Sequence, residues 1–462
     1  MAIKQFSEIP WFLLNSISLK RAESLTFERR RILQKKRLRN LLSHVLRKSR
    51  FYQEYYKEHG ITPEKIGKIE LRDLPPIDKK LMMDNYDDFV CDRKIRRKYL
   101  EAFIADRANR GRRYLDRYTI IHTSGSSGTI GIFAYGPRDW RILKALAIRR
   151  LSKAGINFFS KTKISFIGAT DGMYAGISLV QDAPKFIFDL LRLPINSPLG
   201  EITTKINAFK PDILSGYSSG NYLLAREKLL GNIDIRLKRI LCSADVLTFK
   251  MRQTIKDAFG IEPVNFYAAS ESVCMGAECE HHDGIHLYDD WHCFEFIDEQ
   301  FNPVEPGQSG RLLLTNLYNY TQPLIRYAMN DEIVLDNKTC PCGSSFPLIK
   351  HIAGRQEDML WFEKPNHEKD YLHPLMIVEF FVPGLEKLQV IQKERNHLLI
   401  RAIINDKKEI VLPLIRKRMN EILVQKGLND AVTFDIELVD NIDNDPKTRK
   451  FRLIIPIQET SQ

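Results

Sequence analysis

From Tyr118 to Tyr267 short apolar runs alternate with helix-patterned stretches, and this alternation limits the possible folds more than any other feature of the chain. Ile164-Ser-Phe-Ile-Gly168, Ile213-Leu-Ser-Gly216, Ile240-Leu-Cys242 and Val264-Asn-Phe-Tyr267 read as strands, and 220–230 and 250–259 read as helices. Strands separated by helices predict an α/β layer whose sheet is at least partly parallel. Strand patterns at 293–297, 310–314 and 332–335, with Gly/Pro turns between them, predict a β-rich section over 284–335. Beyond Gly354 a smaller α+β unit of about a hundred residues follows, with strands near 388–392, 398–403 and 433–439 and a helix over 410–423. Ahead of all this, Pro and Gly punctuation at Gly60-Ile-Thr-Pro63 and Leu74-Pro-Pro-Ile77 divides 1–117 into a mainly helical lead-in, and the charged stretch 93–113 reads as surface.

One loop concentrates the chemistry. His122-Thr-Ser-Gly-Ser-Ser-Gly-Thr-Ile-Gly131 holds three glycines and five hydroxyl side chains in ten residues. Small residues let backbone N–H groups converge on an anion, and hydroxyls add donors, so phosphate is the natural guest. The Gly-Lys-Ser/Thr ending of a Walker loop and the dinucleotide fingerprint are both absent. An ordinary Gly/Ser turn is the alternative that composition alone leaves open.

The chain of 462 residues has 44% hydrophobic and 28% charged residues and no apolar run long enough to span a bilayer. Its first residues show no signal-peptide pattern, and seven cysteines do not suggest a secreted disulfide framework, so a cytoplasmic location is expected. The net charge of +12 is concentrated in residues 1–50, which carry 13 Lys/Arg against three Asp/Glu. There Arg29-Arg-Arg31 and Lys35-Lys-Arg37 accompany Leu38, Leu41, Leu42, Val45 and Leu46 at helical spacing. A helix docked by its leucine face is the preferred reading, with peripheral membrane contact the alternative. No nucleic-acid-binding motif accompanies the charge.

Four downstream segments extend the meaning of the loop: Phe266-Tyr-Ala-Ala-Ser-Glu-Ser272, Pro323-Leu-Ile-Arg-Tyr-Ala-Met-Asn-Asp331, Gly354-Arg-Gln-Glu-Asp-Met359 and Lys447-Thr-Arg-Lys-Phe-Arg452. In order and spacing they resemble the motifs of adenylate-forming (acyl-AMP) enzymes. Residues 41–88, Lys210-Pro-Asp-Ile-Leu-Ser-Gly-Tyr-Ser-Ser219 and Cys340-Pro-Cys-Gly343 have the look of the phenylacetate–CoA ligase, coenzyme F390 synthetase and CapK group. The resemblance covers nearly the whole chain. It implies a large multi-layer N-terminal adenylation domain (1–356) and a small mobile C-terminal domain (357–462).

The implied reaction joins a carboxylic acid to ATP, giving acyl-AMP and pyrophosphate. By the resemblance, Thr123, Ser124, Gly125, Ser126, Ser127 and Gly128 would hold the β- and γ-phosphates, and Glu271 would carry Mg²⁺. Ser243, Ala244 and Asp245 would line adenine, with Ser270 near the nucleotide, and Tyr267 would stack on adenine or line the acyl pocket. Asp331 would accept the ribose hydroxyls and Arg355 would join it. Lys450, or Lys447 in another register, would be the catalytic lysine, and Glu357 would mark the hinge. Where the family often has Pro-Lys after the loop, Thr129-Ile-Gly131 stands here, which removes one phosphate-facing cation. Asn330 and Arg449 replace customary glycines.

Cys279, His286, Cys340 and Cys342 offer three thiolates and an imidazole, a donor set suited to structural Zn²⁺, with His281, His282, His292 and Cys274 as alternative ligands. Tyr217, Asp171-Gly-Met-Tyr174 and Ala268-Ala269 are expected around the acyl group without identifying it. Coenzyme A is the favoured acceptor. The alternatives are an amine or sugar as in CapK, AMP transfer itself, or a non-catalytic ATP-binding protein. A homodimer is compatible with all of them.

Overall fold

Thr26 begins the first long helix by accepting a hydrogen bond from the Arg29 amide (3.4 Å). In the computed structural model, which describes residues 19, 22–65, 69–123, 130–149, 161–183, 185, 187–353, 360–372, 376, 377, 380, 382–443 and 452–457, this helix is α1 (Phe27–Lys48). Its leucine face is buried, with Leu38, Leu41, Leu42 and Val45 in the main core. Docking is therefore what its apolar stripe does, and 27–48 keeps no continuous apolar face for a bilayer. One basic residue is buried as well: Arg30 pairs with Asp289 (2.8 Å) and stacks on Phe346.

The rest of the lead-in is α2 (Arg50–Glu58), α3 (Lys79–Asp84), α4 (Tyr86–Phe89) and α5 (Arg97–Ala105). Tyr52, Tyr56, Met82, Tyr86, Phe89 and Leu100 all enter the same core. The stretch 93–113 is thus only partly surface, since Ile95 and Leu100 are fully buried among its exposed charges.

Two strands follow, β1 (Thr119–His122) and β2 (Ile132–Tyr135), paired antiparallel. Then come β3 (Thr162–Gly168), β4 (Phe188–Pro194), β5 (Ile213–Tyr217), β6 (Arg239–Ser243) and β7 (Val264–Ala269). Their order is β4-β3-β5-β6-β7, all parallel, as the alternating pattern predicts. Among the helices between them are α6 (Pro137–Ile148), α7 (Ala175–Gln181), α8 (Leu199–Phe209), α9 (Ser218–Leu229) and α10 (Phe249–Phe259).

The β-rich section continues this same sheet. It consists of β8 (Ser272–Glu278), β9 (Ile285–Leu287), β10 (His292–Ile297), β11 (Ser309–Asn316), β12 (Tyr327–Asp336) and β13 (Leu348–Ala353). They extend it antiparallel in the order β7-β8-β9-β13-β12-β11-β10, making eleven strands. The parallel half switches direction of winding between β3 and β5, and crevices outside the carboxyl ends of such strands are where open α/β sheets bind ligands. At this switch Gly216 has φ +139°, and a Cβ there would lie 2.0 Å from the Ile167 carbonyl oxygen. Only glycine lets the two strands approach so closely.

After a hairpin of β14 (Leu360–Glu363) and β15 (Lys369–Leu372), the C-terminal unit forms a four-stranded sheet. Its strands are β16 (Leu385–Glu394), β17 (His397–Ile404), β18 (Thr433–Leu438) and β19 (Ile454–Ile455), covered by α11 (Lys408–Lys426). A core of its own, including Val390, Ile400, Ile415 and Met419, holds it together. Tyr371 leaves that unit to donate to the Ile195 carbonyl (2.9 Å), and the buried Lys426 reaches the Ser197 carbonyl (2.7 Å) and Asp370 (3.1 Å). The boundary expected at 356/357 falls in 354–359, outside the described residues. Among the described residues no helix is long and apolar enough to cross a membrane.

Gly216→Ala should lower the unfolding free energy by about 3 kcal/mol or more, since both the dihedral and the contact with Ile167 must relax. Denaturant titration checks this; a loss within about 0.5 kcal/mol would contradict the close approach.

Candidate active site

Glu271 sits where the sheet changes from parallel to antiparallel. Ala269 pairs with Ser272, so Ser270 and Glu271 form the two-residue turn of the β7–β8 hairpin. Tyr135 donates to the Ser270 carbonyl (2.8 Å), and Asn316 donates to the Glu271 carbonyl (3.4 Å), which fixes the turn from both sides. The Glu271 side chain is only 8% exposed. Burial raises its pKa; Lys79 is the largest opposing influence, and Asp331 raises it further. Two carboxylates and one ammonium therefore share this corner.

Asp331, on β12, accepts a hydrogen bond from the Tyr267 hydroxyl (2.7 Å). Tyr267 is fully enclosed, and burial together with Asp331 pushes its hydroxyl pKa well above the ordinary value, so it remains a donor. Its ring is thereby held beside Asp331, where it orients that carboxylate. Tyr327 completes the corner, its hydroxyl pKa raised first by burial and then by Glu271. The preceding Arg326 is committed to structure: it pairs with Glu295 (3.0 Å) and donates to the carbonyls of Arg72 (2.8 Å) and Leu74.

Behind Glu271 runs a buried hydrogen-bond chain. The Tyr318 hydroxyl and His292 Nε2 both lie 2.8 Å from Ser272 Oγ, and His292 Nδ1 donates to the Tyr288 carbonyl (2.8 Å). Burial lowers the His292 pKa to about 4, so the ring is a neutral brace for the first residue of β8.

The glycine loop is a strand-to-strand connection. Thr123 donates its amide to the Gly131 carbonyl (2.9 Å), and Thr123 Oγ1 accepts from the Gly131 amide (2.8 Å), closing the neck of the loop. Ser124, Gly125, Ser126, Ser127 and Gly128 lie outside the described residues, as do Arg355, Glu357, Lys447 and Lys450. His122 donates its amide to the Met173 carbonyl (3.1 Å), and its ring packs on Tyr174 at 4.7 Å. The hairpin is thus tied to the Asp171-Gly-Met-Tyr174 segment that follows β3. Tyr217 packs its ring over Gly168 at the same strand ends.

Ser243, Ala244 and Asp245 leave the end of β6 in a tight turn, with Ala244 at φ +72°. The Asp245 carboxylate faces protein. It accepts from the amides of Ser218 (2.5 Å) and Ser219 (3.2 Å) and from the Ser219 hydroxyl, capping α9.

The cysteine–histidine set converges. Donor atoms of Cys279, His286, Cys340 and Cys342 all lie within 4.8 Å of one another. Cys279 Sγ is 3.5 Å from Cys340 Sγ, and Cys342 Sγ is 3.4 Å from His286 Nε2. Tetrahedral Zn²⁺ would need edges of about 3.8 and 3.6 Å, so the cage fits with small adjustment. Of the alternatives, His282 pairs with Glu278 (3.2 Å), His292 bonds Ser272 and Cys274 is buried in the main core, while the His281 amide donates to Cys279 Sγ (3.4 Å).

Lys79, His122 and Tyr327 were not singled out as site residues by sequence reasoning. Tyr327 lies inside a quoted motif, His122 heads the glycine loop and Lys79 lies in the Leu-Pro-Pro-Ile-Asp-Lys-Lys run, so each had a signal.

No protein-family model matches the chain. A 2-hydroxyisobutyryl-CoA ligase, crystallised with 2-HIB-AMP and CoA in the thioesterification state, superimposes with a TM-score of 0.65 at 18% identity, covering 95% of this chain and 92% of its own. An open conformation of that ligase gives 0.61 at 19% identity over 94% and 93%. The chain therefore shares the fold of this ligase over nearly its whole length. In sequence the chain is 26% identical to the phenylacetate–coenzyme A ligase of Thermus thermophilus over 73% of both chains. It is 24% identical to protein CapK of Staphylococcus aureus over 90% of this chain and 87% of CapK. The chain is thus similar in sequence to phenylacetate–coenzyme A ligases and to CapK.

Asp245→Ala should remove the α9 cap and leave two amides and a hydroxyl without their acceptor, costing about 1–3 kcal/mol of stability. Nucleotide affinity, once corrected for the folded fraction, should stay within about threefold of wild type, a difference of under 1 kcal/mol. A larger loss would show that the carboxylate itself meets the nucleotide.

Proposed function

We propose that this protein is an ATP-dependent, AMP-forming ligase that activates a carboxylic acid as its acyl-adenylate and transfers the acyl group to coenzyme A. The observation that carries the reading is the buried Glu271 with the half-buried Asp331 near it, Tyr267 bonded to Asp331, in the fold of an acyl-CoA ligase. Similarity to phenylacetate–coenzyme A ligases supports the acceptor.

In the first step a substrate carboxylate oxygen attacks the α-phosphorus. The bond from that phosphorus to the bridging oxygen breaks, and its electron pair leaves with pyrophosphate. In the second, the coenzyme A sulfur attacks the acyl carbon and AMP departs. Both partners of the first step are anions, so the protein must orient them and offset charge. Asp331, held by Tyr267, would accept the two ribose hydroxyls, a task suited to an acceptor-only group. The loop 123–128 would hold the β- and γ-phosphates, the backbone of 243–245 adenine, and Tyr217 and Tyr174 the acyl group. Arg355 and Lys450 would approach the ribose and the α-phosphate.

Glu271 would hold Mg²⁺, which supplies charge neutralisation between the phosphates; one carboxylate beside phosphate oxygens suits this cation. Cys279, His286, Cys340 and Cys342 would hold a structural Zn²⁺ that staples the end of β8 to β9 and to the segment before β13. The CapK alignment, spanning 90% of the chain, favours a second reading of the acceptor alone, an amine or sugar in place of the thiol.

Glu271→Ala and Asp331→Ala should each slow acid-dependent pyrophosphate release by roughly a hundredfold, since a charge clamp of this kind contributes about 3 kcal/mol. Near-wild-type rates would overturn the assignment. With the activating acid identified from a panel, release of AMP that depends on coenzyme A rather than on amines settles the acceptor. The purified protein should carry about one zinc per chain, lost in the Cys340→Ser/Cys342→Ser variant together with thermal stability. A metal-free preparation of full stability would rule the zinc site out.

A further inference from the structure

The solvent face of α1 carries a charge pattern that neither the active site nor the core uses. The helix contains nine Lys/Arg and one acid, Glu28. Its leucine face enters the main core, and Arg30 is buried against Asp289. Arg37 is engaged as well, its guanidinium over the Trp291 ring at 3.4 Å. The other cations stay exposed. Arg29, Ile32, Lys36, Arg39, Ser43 and Arg47 recur at three- and four-residue spacing and so form one stripe along the helix. At 1.5 Å of rise per residue the stripe is about 27 Å long. Lys35, beside it, pairs with Glu70 (3.0 Å), whereas among the described residues Arg29, Lys36, Arg39 and Arg47 form no ion pair.

Such a pattern disfavours the helix while it faces only water. Arg31, Lys35 and Arg39 follow one another at i, i+4 spacing, and Lys36 lies three residues before Arg39, so like charges are surface neighbours. A solvated helix ordinarily sets Glu four residues ahead of Lys and is stabilised by the pair. Here the residue four after Glu28 is Ile32, and the stripe has no acid of its own. An anionic surface lying along the whole stripe relieves this repulsion. The shape of the stripe selects among polyanions. Cations on a straight helix lie along a line, which a flat anionic surface meets at every position, whereas the phosphates of a duplex wind around its axis. Ile32, 69% exposed amid these cations, gains from the boundary between head groups and acyl chains and gains nothing from a sugar-phosphate backbone. Ahead of the helix the sequence Ile9-Pro-Trp-Phe-Leu-Leu14 supplies the aromatic and aliphatic residue types that favour a bilayer interface. A polybasic face joined to an apolar segment is the two-signal combination that stable peripheral binding takes.

We propose that the cationic stripe over 29–47 of α1 docks this protein on a bilayer rich in anionic phospholipid. The leucine face stays in the core, so the helix lies along the membrane surface without inserting, and its cations meet head-group phosphates. The proposal does not depend on the adenylation reading, because no active-site residue takes part in it.

Co-sedimentation with vesicles tests it, using phosphatidylcholine alone or with about one third phosphatidylglycerol. Wild type should bind the anionic vesicles and leave the neutral ones, and its affinity should fall roughly tenfold or more between about 50 and about 500 mM salt. At low salt Arg29→Glu/Lys36→Glu/Arg39→Glu should bind roughly tenfold or more weakly than wild type. Lys407→Glu/Lys408→Glu/Lys417→Glu makes the same change of net charge on exposed residues of the C-terminal unit and should bind within about twofold of wild type. Equal losses in the two triple variants would show that net charge alone drives binding and would overturn the proposal. So would absence of binding to the anionic vesicles. Equal binding to neutral vesicles would assign the contact to apolar residues and remove the role of the stripe. An oligonucleotide that displaces the protein from the vesicles and binds it more tightly would make the partner a nucleic acid and overturn the lipid assignment. Thermal melts check that each variant folds. Arg29→Gln/Lys36→Gln/Arg39→Gln, which removes charge without reversing it, should lose an intermediate amount of affinity and keeps the test open should the reversal not fold.

Discussion

The β7–β8 hairpin is the interaction on which the rest depends. Ala269 pairing with Ser272 turns a parallel sheet into an antiparallel one and leaves Ser270 and Glu271 projecting at the strand ends. Everything that surrounds Glu271 is arranged by that reversal. β8 must run beside β7 for the β9–β13–β12 sequence to follow, and β12 carries both Tyr327 and Asp331 into the same corner. A buried carboxylate is tolerable there because the groups around it include donors and a cation. The chemistry proposed for the corner uses this electrostatic tension, which nucleotide and its metal would relieve.

Buried ion pairs do the corresponding work further from the site. Arg149 forms a bidentate pair with Asp290 (2.6 and 3.0 Å), both side chains almost wholly enclosed, and its guanidinium stacks over Tyr288. Arg30 holds the adjacent Asp289. Together they anchor α6 and α1 to one turn between β9 and β10. Such pairs contribute little against an apolar replacement, but removing one partner typically costs about 3–5 kcal/mol. They therefore specify how the helices dock more than they add stability.

Local pattern made much of this legible. Strands near 164–168, 213–216, 240–242 and 264–267 and the elements of 385–438 follow from short-period apolar spacing, whereas β4, α7 and α8 are not predicted from it, and the four residues of the Cys/His cage are recognisable by type alone. What the sequence did not disclose is pairing at long range. The α/β layer and the β-rich section differ in texture, yet they share one sheet, and nothing local to Ser270-Glu271 marks it as the joining turn. The leucine spacing of α1 announced a docked helix, but the burial of Arg30 depends on Asp289, 259 positions away. The resemblance places the segment 243–245 beside adenine, and only the position of α9 shows the Asp245 side chain capping a helix. Ile77 stands in a Pro-punctuated run with nothing local to show that its bridge partner is Tyr327, far along the chain.

The integration of the lead-in has a consequence for the nascent chain. α1 and α2 are synthesised early, but their partners are Asp289, the carbonyl of Pro323 and the core strands near them. At about 5–20 residues per second those partners emerge roughly 15–50 seconds later. During that interval Tyr52 has only lead-in neighbours such as Phe89 against it, and the strands that complete the core around Leu41, Leu42 and Val45 are still missing. A positively charged amphipathic helix therefore waits, incompletely covered, until the turn before β10 and the segment before β12 have been made.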